Sequence, residues 1–404
     1  ANFIKTDFQA NQNDSNIIEK QNDNEIIEND FREVIFEGRA SFFNATFKAR
    51  VCFRISQFKE EVRFIETQFQ AEQSNNETIE NDFREVIFEG RAFFFNATFK
   101  ARVSFALSQF KSEANFIKTD FQANQNDSNI IEKQNDNEII ENDFREVIFE
   151  GGASFSNATF KARVSFVLSQ FKEEVRFIKT QFLAKQSNNE TIENDFREVI
   201  FEGRASFSNA TFKARVSFGL SQFKEEVRFI KTEFQANQND SNIIEKQNDN
   251  EIIENDFREV IFEGRASFSN VTFKARVSFG LSQFKSEANF IKTDFQANQN
   301  DSDIIENQFL GVIFAGKAIF NNITFQARVN FTLSQFKDEV RFAGVKFQAE
   351  QSSNRKIIEN EFREVVFKGK VTFDSLVLKA RIGLLFSTFK DETLFLNINP
   401  NNCI

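Results

Sequence analysis

The stretch FREVIFEGRASFFNATFKARVCFRISQFKEEVRFIETQF, residues 31–69, decides the fold because its phenylalanines keep a fixed spacing. The spacing alternates strictly between five and six residues. It fits neither the period of about 3.6 residues of a helix face nor the two-residue period of a flat strand. One large apolar residue per step predicts a chain that turns a corner after every step. We predict that the eight positions form a structural core ladder: Phe31, Phe36, Phe42, Phe47, Phe53, Phe58, Phe64 and Phe69.

The same cassette recurs along the whole chain. The copies begin at Phe31, Phe83, Phe144, Phe196, Phe257, Phe309 and Phe362. Of the 59 phenylalanines, 55 fall on this lattice, and the four exceptions are Phe43, Phe93, Phe95 and Phe386. A repeat array behaves as one long domain because each repeat packs only on its neighbours. We therefore predict one repeat array over residues 1–404.

A second row of residues accompanies the phenylalanines. Two positions before each lattice phenylalanine of the first cassette that follows Phe31 lies a small or β-branched residue: Val34, Ala40, Ala45, Val51, Ser56, Val62 and Thr67. Residues i and i−2 of an extended segment point to the same side. Each step therefore sends one phenylalanine and one smaller residue inward, and the charged residues between them outward.

The stretches ATFKA (residues 45–49) and VCFRI (residues 51–55) resemble the pentapeptide-repeat family, in a variant with alternating five- and six-residue steps. The resemblance implies an all-β fold, a right-handed four-sided parallel β-helix (solenoid) with one step on each face. Four such steps make a coil of about 22 residues, so each cassette closes two coils and Phe31 would stack on Phe53. At roughly 4.8 Å per coil, the whole array would be about 70 Å long.

Polar connectors separate the cassettes. They cover residues 9–30, 70–82, 122–143, 183–195, 235–256, 296–308 and 348–361. Their many Asn and Asp residues are typical of solvated turns. Because each cassette closes two coils, we expect polar loops at one corner, once every two coils. The connectors are also acidic, since residues 9–30 have a net charge of −5 and residues 31–69 a net charge of +2.

The composition argues against catalysis. The chain contains no histidine, so no serine or cysteine can belong to the common catalytic triad. The adjacent carboxylates Glu60 and Glu61 lie beside basic residues, as do Glu225 and Glu226, which is more typical of surface ion pairs. Gly38 recurs once per cassette and is interpreted as a corner residue, not as part of a phosphate-binding loop. We expect no catalytic residue, cofactor or metal ligand, and we predict that the protein is not an enzyme.

Other sequence features concern modification and location. Cys52 and Cys403 are too few for a disulfide framework. No apolar run approaches the roughly 18 residues of a membrane span, so no transmembrane segment is predicted. Because the sequence opens in mid-cassette, we expect a piece of a longer array. Sequons such as Asn44-Ala45-Thr46 are explained either by glycosylation or by copying of the cassette. An extracellular or cell-surface location is favoured over a cytoplasmic one.

The leading hypothesis for function is a non-enzymatic structural or scaffold protein that self-associates, as a segment of a fibre or surface layer. One alternative is a binding module that recognises a protein partner through its acidic loops. A second alternative comes from the resemblance, because some pentapeptide-repeat proteins mimic duplex DNA and bind DNA gyrase. Mimicry needs acidity along the coils, whereas the coils here are slightly basic. We expect no nucleic-acid partner.

Overall fold

The computed structural model of the chain describes residues 1–8, 28–71, 80–123, 142–184, 194–236, 255–297, 306–349 and 359–398. The regular elements in these ranges are short parallel strands, and they include no helix. The chain divides into two compact units, Ala1–Ala184 and Lys185–Ile404. In each unit the chain visits four sheets in turn, which we number as faces 1 to 4.

The strands of the first unit are as follows. Face 1 contains Asp7–Phe8, Thr46–Phe47, Gln68–Phe69, Thr98–Phe99, Asp120–Phe121, Thr159–Phe160 and Gln181–Phe182. Face 2 contains Glu28–Asp30, Arg50–Cys52, Glu80–Asp82, Arg102–Ser104, Asn142–Asp143 and Val164–Ser165. Face 3 contains Ile35–Phe36, Gln57–Phe58, Ile87–Phe88, Gln109–Phe110, Ile148–Phe149 and Gln170–Phe171. Face 4 contains Ala40–Ser41, Val62–Arg63, Ala92–Phe93, Ala114–Asn115, Ala153–Ser154 and Val175–Arg176.

The second unit repeats this order. Face 1 contains Thr211–Phe212, Glu233–Phe234, Thr272–Phe273, Asp294–Phe295, Thr324–Phe325, Lys346–Phe347 and Val377–Leu378. Face 2 contains Asn194–Asp195, Val216–Ser217, Asn255–Asp256, Val277–Ser278, Glu306–Gln308, Arg328–Asn330, Glu359–Glu361 and Arg381–Gly383. Face 3 contains Ile200–Phe201, Gln222–Phe223, Ile261–Phe262, Gln283–Phe284, Ile313–Phe314, Gln335–Phe336, Val366–Phe367 and Thr388–Phe389. Face 4 contains Ala205–Ser206, Val227–Arg228, Ala266–Ser267, Ala288–Ile291, Ala318–Asn321, Val340–Ala343, Val371–Asp374 and Thr393–Leu396.

The register places equivalent lattice positions of successive coils side by side. On face 1, for example, Thr46 pairs with Gln68 and Phe47 with Phe69 in a parallel ladder. The four-sided parallel β-helix that the family resemblance implies is therefore confirmed for each unit. That the two units form one continuous solenoid stays a prediction.

The corners are of two kinds, and they follow the two step lengths. A five-residue step ends in a tight turn, as at Phe42, whose carbonyl accepts a hydrogen bond from the Ala45 N–H at 3.1 Å. The second turn residue, Asn44, has a φ of 53°. Every described non-glycine residue with a positive φ except Ala123 lies two positions after a lattice point of face 2 or face 4. The fold therefore requires one left-handed residue in each five-residue step.

The six-residue steps close the other two corners. Gly90 lies at the corner between faces 3 and 4, where the backbone of the neighbouring coil comes very close. A Cβ atom on Gly90 would lie 2.3 Å from the carbonyl carbon of Glu60 and 2.6 Å from the backbone nitrogen of Glu61. No atom lies within 4 Å of the corresponding position on Gly38. The recurrent glycine is thus a corner residue that allows one coil to pack on another.

The connector boundaries predicted from the sequence were too wide. Residues 80–82, assigned to the connector 70–82, form a face-2 strand, and Ala71 is fully buried. The ends of the other connectors likewise form strands: Glu28–Asp30, Asn142–Asp143, Asn194–Asp195, Asn255–Asp256, Glu306–Gln308 and Glu359–Glu361. The middle of every connector lies outside the described residues.

These strands were missed because their Asn and Asp residues are typical of turns. In the fold, the residue two positions before a face-2 phenylalanine points inward whatever its type. Asn81 is fully buried there, and its Nδ2 donates to the carbonyl of Arg102 in the neighbouring coil at 3.3 Å. In each unit, the described ends of the connectors lie at the corner between faces 1 and 2.

Candidate functional site

The residues of the predicted core ladder stand in axial columns inside the β-helix. The rings of Phe36 and Phe58 stack with centroids 4.6 Å apart and planes 3° apart. Between faces the rings meet edge to face, as do Phe42 and Phe53 at 5.7 Å and 80°. Both arrangements suit the ring quadrupole and contribute about 0.5–1.5 kcal/mol per pair beyond the burial of area. The other stacked pairs of the ladder are Phe31–Phe53, Phe42–Phe64 and Phe47–Phe69.

The surface carries columns in which the sign of charge alternates from coil to coil. On face 3 of the second unit such a column consists of Glu202, Lys224, Glu263 and Lys285. Lys224 Nζ lies 3.3 Å from Glu202 Oε2, and Lys285 Nζ lies 3.0 Å from Glu263 Oε1. Like charges in directly adjacent strands destabilise a sheet, and opposite charges stabilise it. The charges of these four residues therefore compensate one another, whereas farther along the same face the column continues with Ala315, Lys337, Lys368 and Lys390.

A second alternating column runs along the corner between faces 3 and 4 of the first unit. It consists of Arg39, Glu61, Arg91 and Glu113 in successive coils. The Glu61 carboxylate lies 2.6 Å from Arg91 and also 2.6 Å from Arg63. With only 8% of its surface exposed, Glu61 is held between two guanidinium groups.

Aspartate–arginine pairs lie on the outside of face 2. The Arg84 guanidinium donates to both oxygens of Asp82 at 2.9 and 2.6 Å, and the Arg84 backbone N–H donates to the same carboxylate at 3.0 Å. Burial opposes ionisation of Asp82, but the hydrogen bonds from Arg84 outweigh it and hold the pKa of Asp82 below its ordinary value. Equivalent pairs are Asp30–Arg32, Asp143–Arg145, Asp195–Arg197 and Asp256–Arg258.

Exposed leucines occupy the left-handed position at the corner between faces 2 and 3. Leu281 is 60% exposed and has a φ of 60°. A left-handed conformation costs a non-glycine residue roughly 1–2 kcal/mol, so nothing in the backbone favours leucine there. The equivalent exposed residues in other cassettes are Ile55, Leu107, Leu168, Leu220 and Leu333. These exposed apolar residues are not predictable from the sequence, because neither their φ nor their exposure follows from residue type.

Among the glutamates named as possible acid–base partners, Glu60, Glu61 and Glu226 form ion pairs, and Glu60 lies 3.9 Å from Arg39. Glu61 binds Arg63 and Arg91, and Glu226 Oε2 lies 2.6 Å from Arg228. Within the described ranges, no group of three or more His, Cys, Asp and Glu residues is arranged to hold a metal ion.

Three further sequence candidates concern modification and the membrane. Cys52 is buried at the end of the strand Arg50–Cys52, and Cys403 lies outside the described residues. The sequon residue Asn44 is exposed at a left-handed corner, which asparagine tolerates better than most residues. Among the described residues there is no helix of a length and hydrophobicity that would span a membrane.

Comparison with known families agrees with this geometry. Residues 141–183 and 193–237 match the family model described as pentapeptide repeats (9 copies). These two segments of the chain are pentapeptide repeats. No curated protein and no solved structure matches the chain.

A pentapeptide-repeat β-helix is in general a structural or binding fold without enzymatic activity. In the described part of this chain the interior is filled by stacked phenylalanines such as Phe58 and Phe88. Its outer surface carries the charge columns and the apolar residues. The candidate functional site is therefore an extended, repeated surface and not a cleft.

Proposed function

We propose that this chain is a non-enzymatic structural or scaffold protein that associates with copies of itself, as a segment of a fibre or surface layer. The observation that carries the proposal is the repetition of one surface pattern every two coils. The column Glu202, Lys224, Glu263 and Lys285 is an example. A surface that repeats in this way offers the same contact many times over.

Alternating columns also support association in a defined register. When two such columns meet with a shift of one coil, every cation lies opposite an anion. A shift of two coils places like charges together, so the charge pattern selects the register. One exposed ion pair contributes only about 0.2–1 kcal/mol, but pairs that form in register on one unit act together.

The exposed leucines add apolar contact area to this pattern. Leu220, Leu281 and Leu333 recur on one corner of the second unit, each about half exposed or more. Isolated exposed leucines are ordinary on protein surfaces. These leucines lie two coils apart, with Glu259 and Gly311 at the same position in the coils between them, so they repeat with the two-coil period of the charge columns.

Negative-stain electron microscopy of the purified chain over a concentration series tests the proposal. We expect fibres or bundles one β-helix wide, more abundant at higher protein concentration. Strong salt should change the number of fibres or bundles, because the charges of the columns are exposed to solvent and are screened by salt. Particles that contain a single chain at every concentration would overturn the proposal.

Two alternatives make different predictions. A module that binds a partner protein through its acidic connectors should lose binding when residues 122–143 are shortened to the length of residues 70–82. A DNA mimic that binds gyrase should inhibit or protect the enzyme in a supercoiling assay. The alternating signs of the columns argue against mimicry, since duplex DNA presents uninterrupted negative charge.

A further inference from the structure

Three of the four off-lattice phenylalanines lie on the outside of face 4 in the first unit. Phe43 and Phe95 each follow a lattice phenylalanine by one position, and Phe93 precedes one. All three are half-buried, so their rings contribute to the surface. With 55 phenylalanines directed inward by the lattice, this concentration of outward rings in neighbouring coils is the clearest departure from the repeat.

Phe43 and Phe95 belong to a continuous apolar column. The Asn44 N–H donates to the carbonyl of Ile65 at 2.8 Å, and the Glu66 N–H donates to the carbonyl of Phe95 at 3.0 Å. These hydrogen bonds place the residues in successive coils, about 4.8 Å apart. Together with Phe93 beside them, they form the face-4 stripe, which we define as Ile4, Phe43, Ile65, Phe93, Phe95 and Ile117.

The fold itself does not require aromatic residues at these positions. Serine occupies the position of Phe43 and Phe95 in later cassettes, at Ser156, Ser208 and Ser269. These serines lie in the same kind of coil, followed by the same left-handed asparagine. The Lys118 ammonium group lies 5.5 Å from the centre of the Phe95 ring, but the packing of the coils does not require an aromatic residue there. Contiguous exposed apolar surface on a folded protein marks an interaction site.

Charged residues border the stripe on the side of face 3. In the four coils from Phe43 to Ile117 this border consists of Arg39, Glu61, Arg91 and Glu113. Arg39 is the most exposed of the ion-paired members, with 78% of its side chain accessible. The guanidinium of Arg91 also lies 5.4 Å from the centre of the Phe93 ring. The border has equal numbers of cations and anions in alternation.

We propose that the face-4 stripe is the contact surface between two copies of this chain that pack antiparallel to each other. The inference rests on the self-association proposed above and names its surface. The two-fold axis runs along the strands and passes between the coils of Ile65 and Phe95. It reverses the order of coils, so Phe43 faces Ile117 of the second copy and Ile65 faces Phe95.

The charged border supports this orientation. The same axis places Arg39 opposite Glu113 of the second copy and Glu61 opposite Arg91, so every border pair has opposite signs. A parallel pair, related by an axis along the rod, would exchange the two edges of the face. That exchange would place Glu61 opposite Glu66, two like charges, and only Glu113 would face an opposite charge, that of Lys118. The antiparallel arrangement also brings Arg63 over the Phe93 ring of the second copy.

The dimensions of the stripe set the strength of this contact. Steps of five or six residues at about 3.3 Å per residue make a face roughly 17–20 Å wide. Five coils span about 24 Å, so each copy buries on the order of 400–480 Å². Stable interfaces bury about 800 Å² on each partner. We therefore expect a weak dimer whose population depends on concentration.

The first test is the triple variant F43S/F93S/F95S, studied by sedimentation equilibrium of the full chain. Because serine occurs naturally at equivalent positions, the variant should keep the far-UV circular dichroism of the parent. We expect its dimer dissociation constant to rise by about tenfold or more, as for loss of central aromatic anchors. The matched control is I230S/I291S, which changes the same column in the second unit and should leave the dissociation constant unchanged.

A charge exchange tests the antiparallel orientation. R39E and E113R should each weaken the dimer, because each places like charges opposite one another. The double variant R39E/E113R should restore it, since the exchanged charges again face their opposites. If the double variant is as weak as the single variants, the antiparallel orientation is wrong.

The outcomes separate this inference from the proposal on which it rests. If the parent chain is monomeric at every concentration, the proposed self-association and the proposed face-4 contact are both overturned. If the parent self-associates and F43S/F93S/F95S does so equally well, only the assignment of face 4 is overturned. Dimer loss confined to the face-4 variants supports both.

Discussion

Lys224 and Glu202 lie in neighbouring coils on face 3, with the Lys224 ammonium group 3.3 Å from the Glu202 carboxylate. The next residue of the column, Glu263, again carries the opposite charge. If the repeat were a single coil, every residue would stack on a copy of itself and like charges would meet at about 4.8 Å. A cassette of two coils avoids this clash. The alternation therefore gives a physical reason for the length of the repeat.

The substitution Lys224→Glu should destabilise the second unit. It places three carboxylates in successive coils, and we expect a loss of about 1 kcal/mol at low ionic strength. The loss should shrink in strong salt because the column is exposed. Thermal unfolding followed by far-UV circular dichroism at low and high salt measures both effects. Lys224→Gln, which removes one charge without adding another, should cost less, and equal losses for the two variants would speak against the column.

The substitution Gly90→Ala should destabilise the β-helix by about 1–3 kcal/mol or more. The added methyl group would overlap the backbone of Glu60 and Glu61, which cannot move without shifting a whole coil. Gly38→Ala is the matched control, because the same corner of its cassette has open space. Neither glycine has a positive φ, so the control should be neutral or slightly stabilising. Unfolding midpoints of the two variants measure the difference, and similar midpoints would contradict the close approach.

Much of the fold could be predicted from the sequence because one residue type marks every step. A phenylalanine such as Phe47 fixes the inward side of its face, and the step lengths fix the size of the coil. The chemistry of the corners could not be predicted. Leu107 has a φ of 62° at the corner after face 2, and Asn96 has a φ of 56° at the corner after face 4 in the same cassette. Residue type therefore does not identify the left-handed position.

The surface could be predicted less well than the core. Asn81 is buried because it lies two positions before the inward-pointing Phe83, although asparagine is typical of loops. The charge columns depend on which residues become neighbours across coils, at separations of 22 residues or more. Such pairs cannot be recognised in the sequence until the register between neighbouring coils is known. The face-4 stripe was visible only as a few phenylalanines that departed from the lattice.

The substitution Ser108→Ala should cost about 1–3 kcal/mol. The Ser108 hydroxyl is fully buried, accepts from the Val86 N–H at 3.0 Å and donates to the Phe83 carbonyl at 2.6 Å. Without the hydroxyl, the Val86 N–H and the Phe83 carbonyl lose this hydrogen-bond partner in a turn of the neighbouring coil. Chemical denaturation measures the loss. Ser108→Thr keeps the hydroxyl, as Thr119 does at the other tight corner, and should cost less.

If Ser108→Ala were as stable as the parent, the turn would have to close by a direct bond from Val86 to Phe83. The Ala45 N–H makes such a bond to Phe42 in another coil, at 3.1 Å. Ser108→Ala therefore tests whether the hydroxyl or a direct backbone hydrogen bond closes the turn.

The pair of Asp82 and Arg84 should make stability depend on pH in the acid range. Hydrogen bonds from Arg84 hold the pKa of Asp82 below its ordinary value although burial opposes this, so the folded state favours the ionised carboxylate. Such a group stabilises fully above its unfolded pKa of about 4 and loses that contribution as the pH falls through its folded pKa. Asp82→Asn should therefore lower stability by about 1–2 kcal/mol at neutral pH, a value reduced because Arg84 is partly in water. The difference from the parent should shrink below about pH 4.

Thermal unfolding of the parent, Asp82→Asn, Arg84→Gln and the double variant at a series of pH values measures this coupling. The coupling energy of the four-variant cycle isolates the pair from other changes. It should be largest near neutral pH and approach zero in strong acid, where the carboxylate is protonated in both states. A coupling energy that stays constant from neutral to acid pH would show that the carboxylate acts through packing and not through its charge.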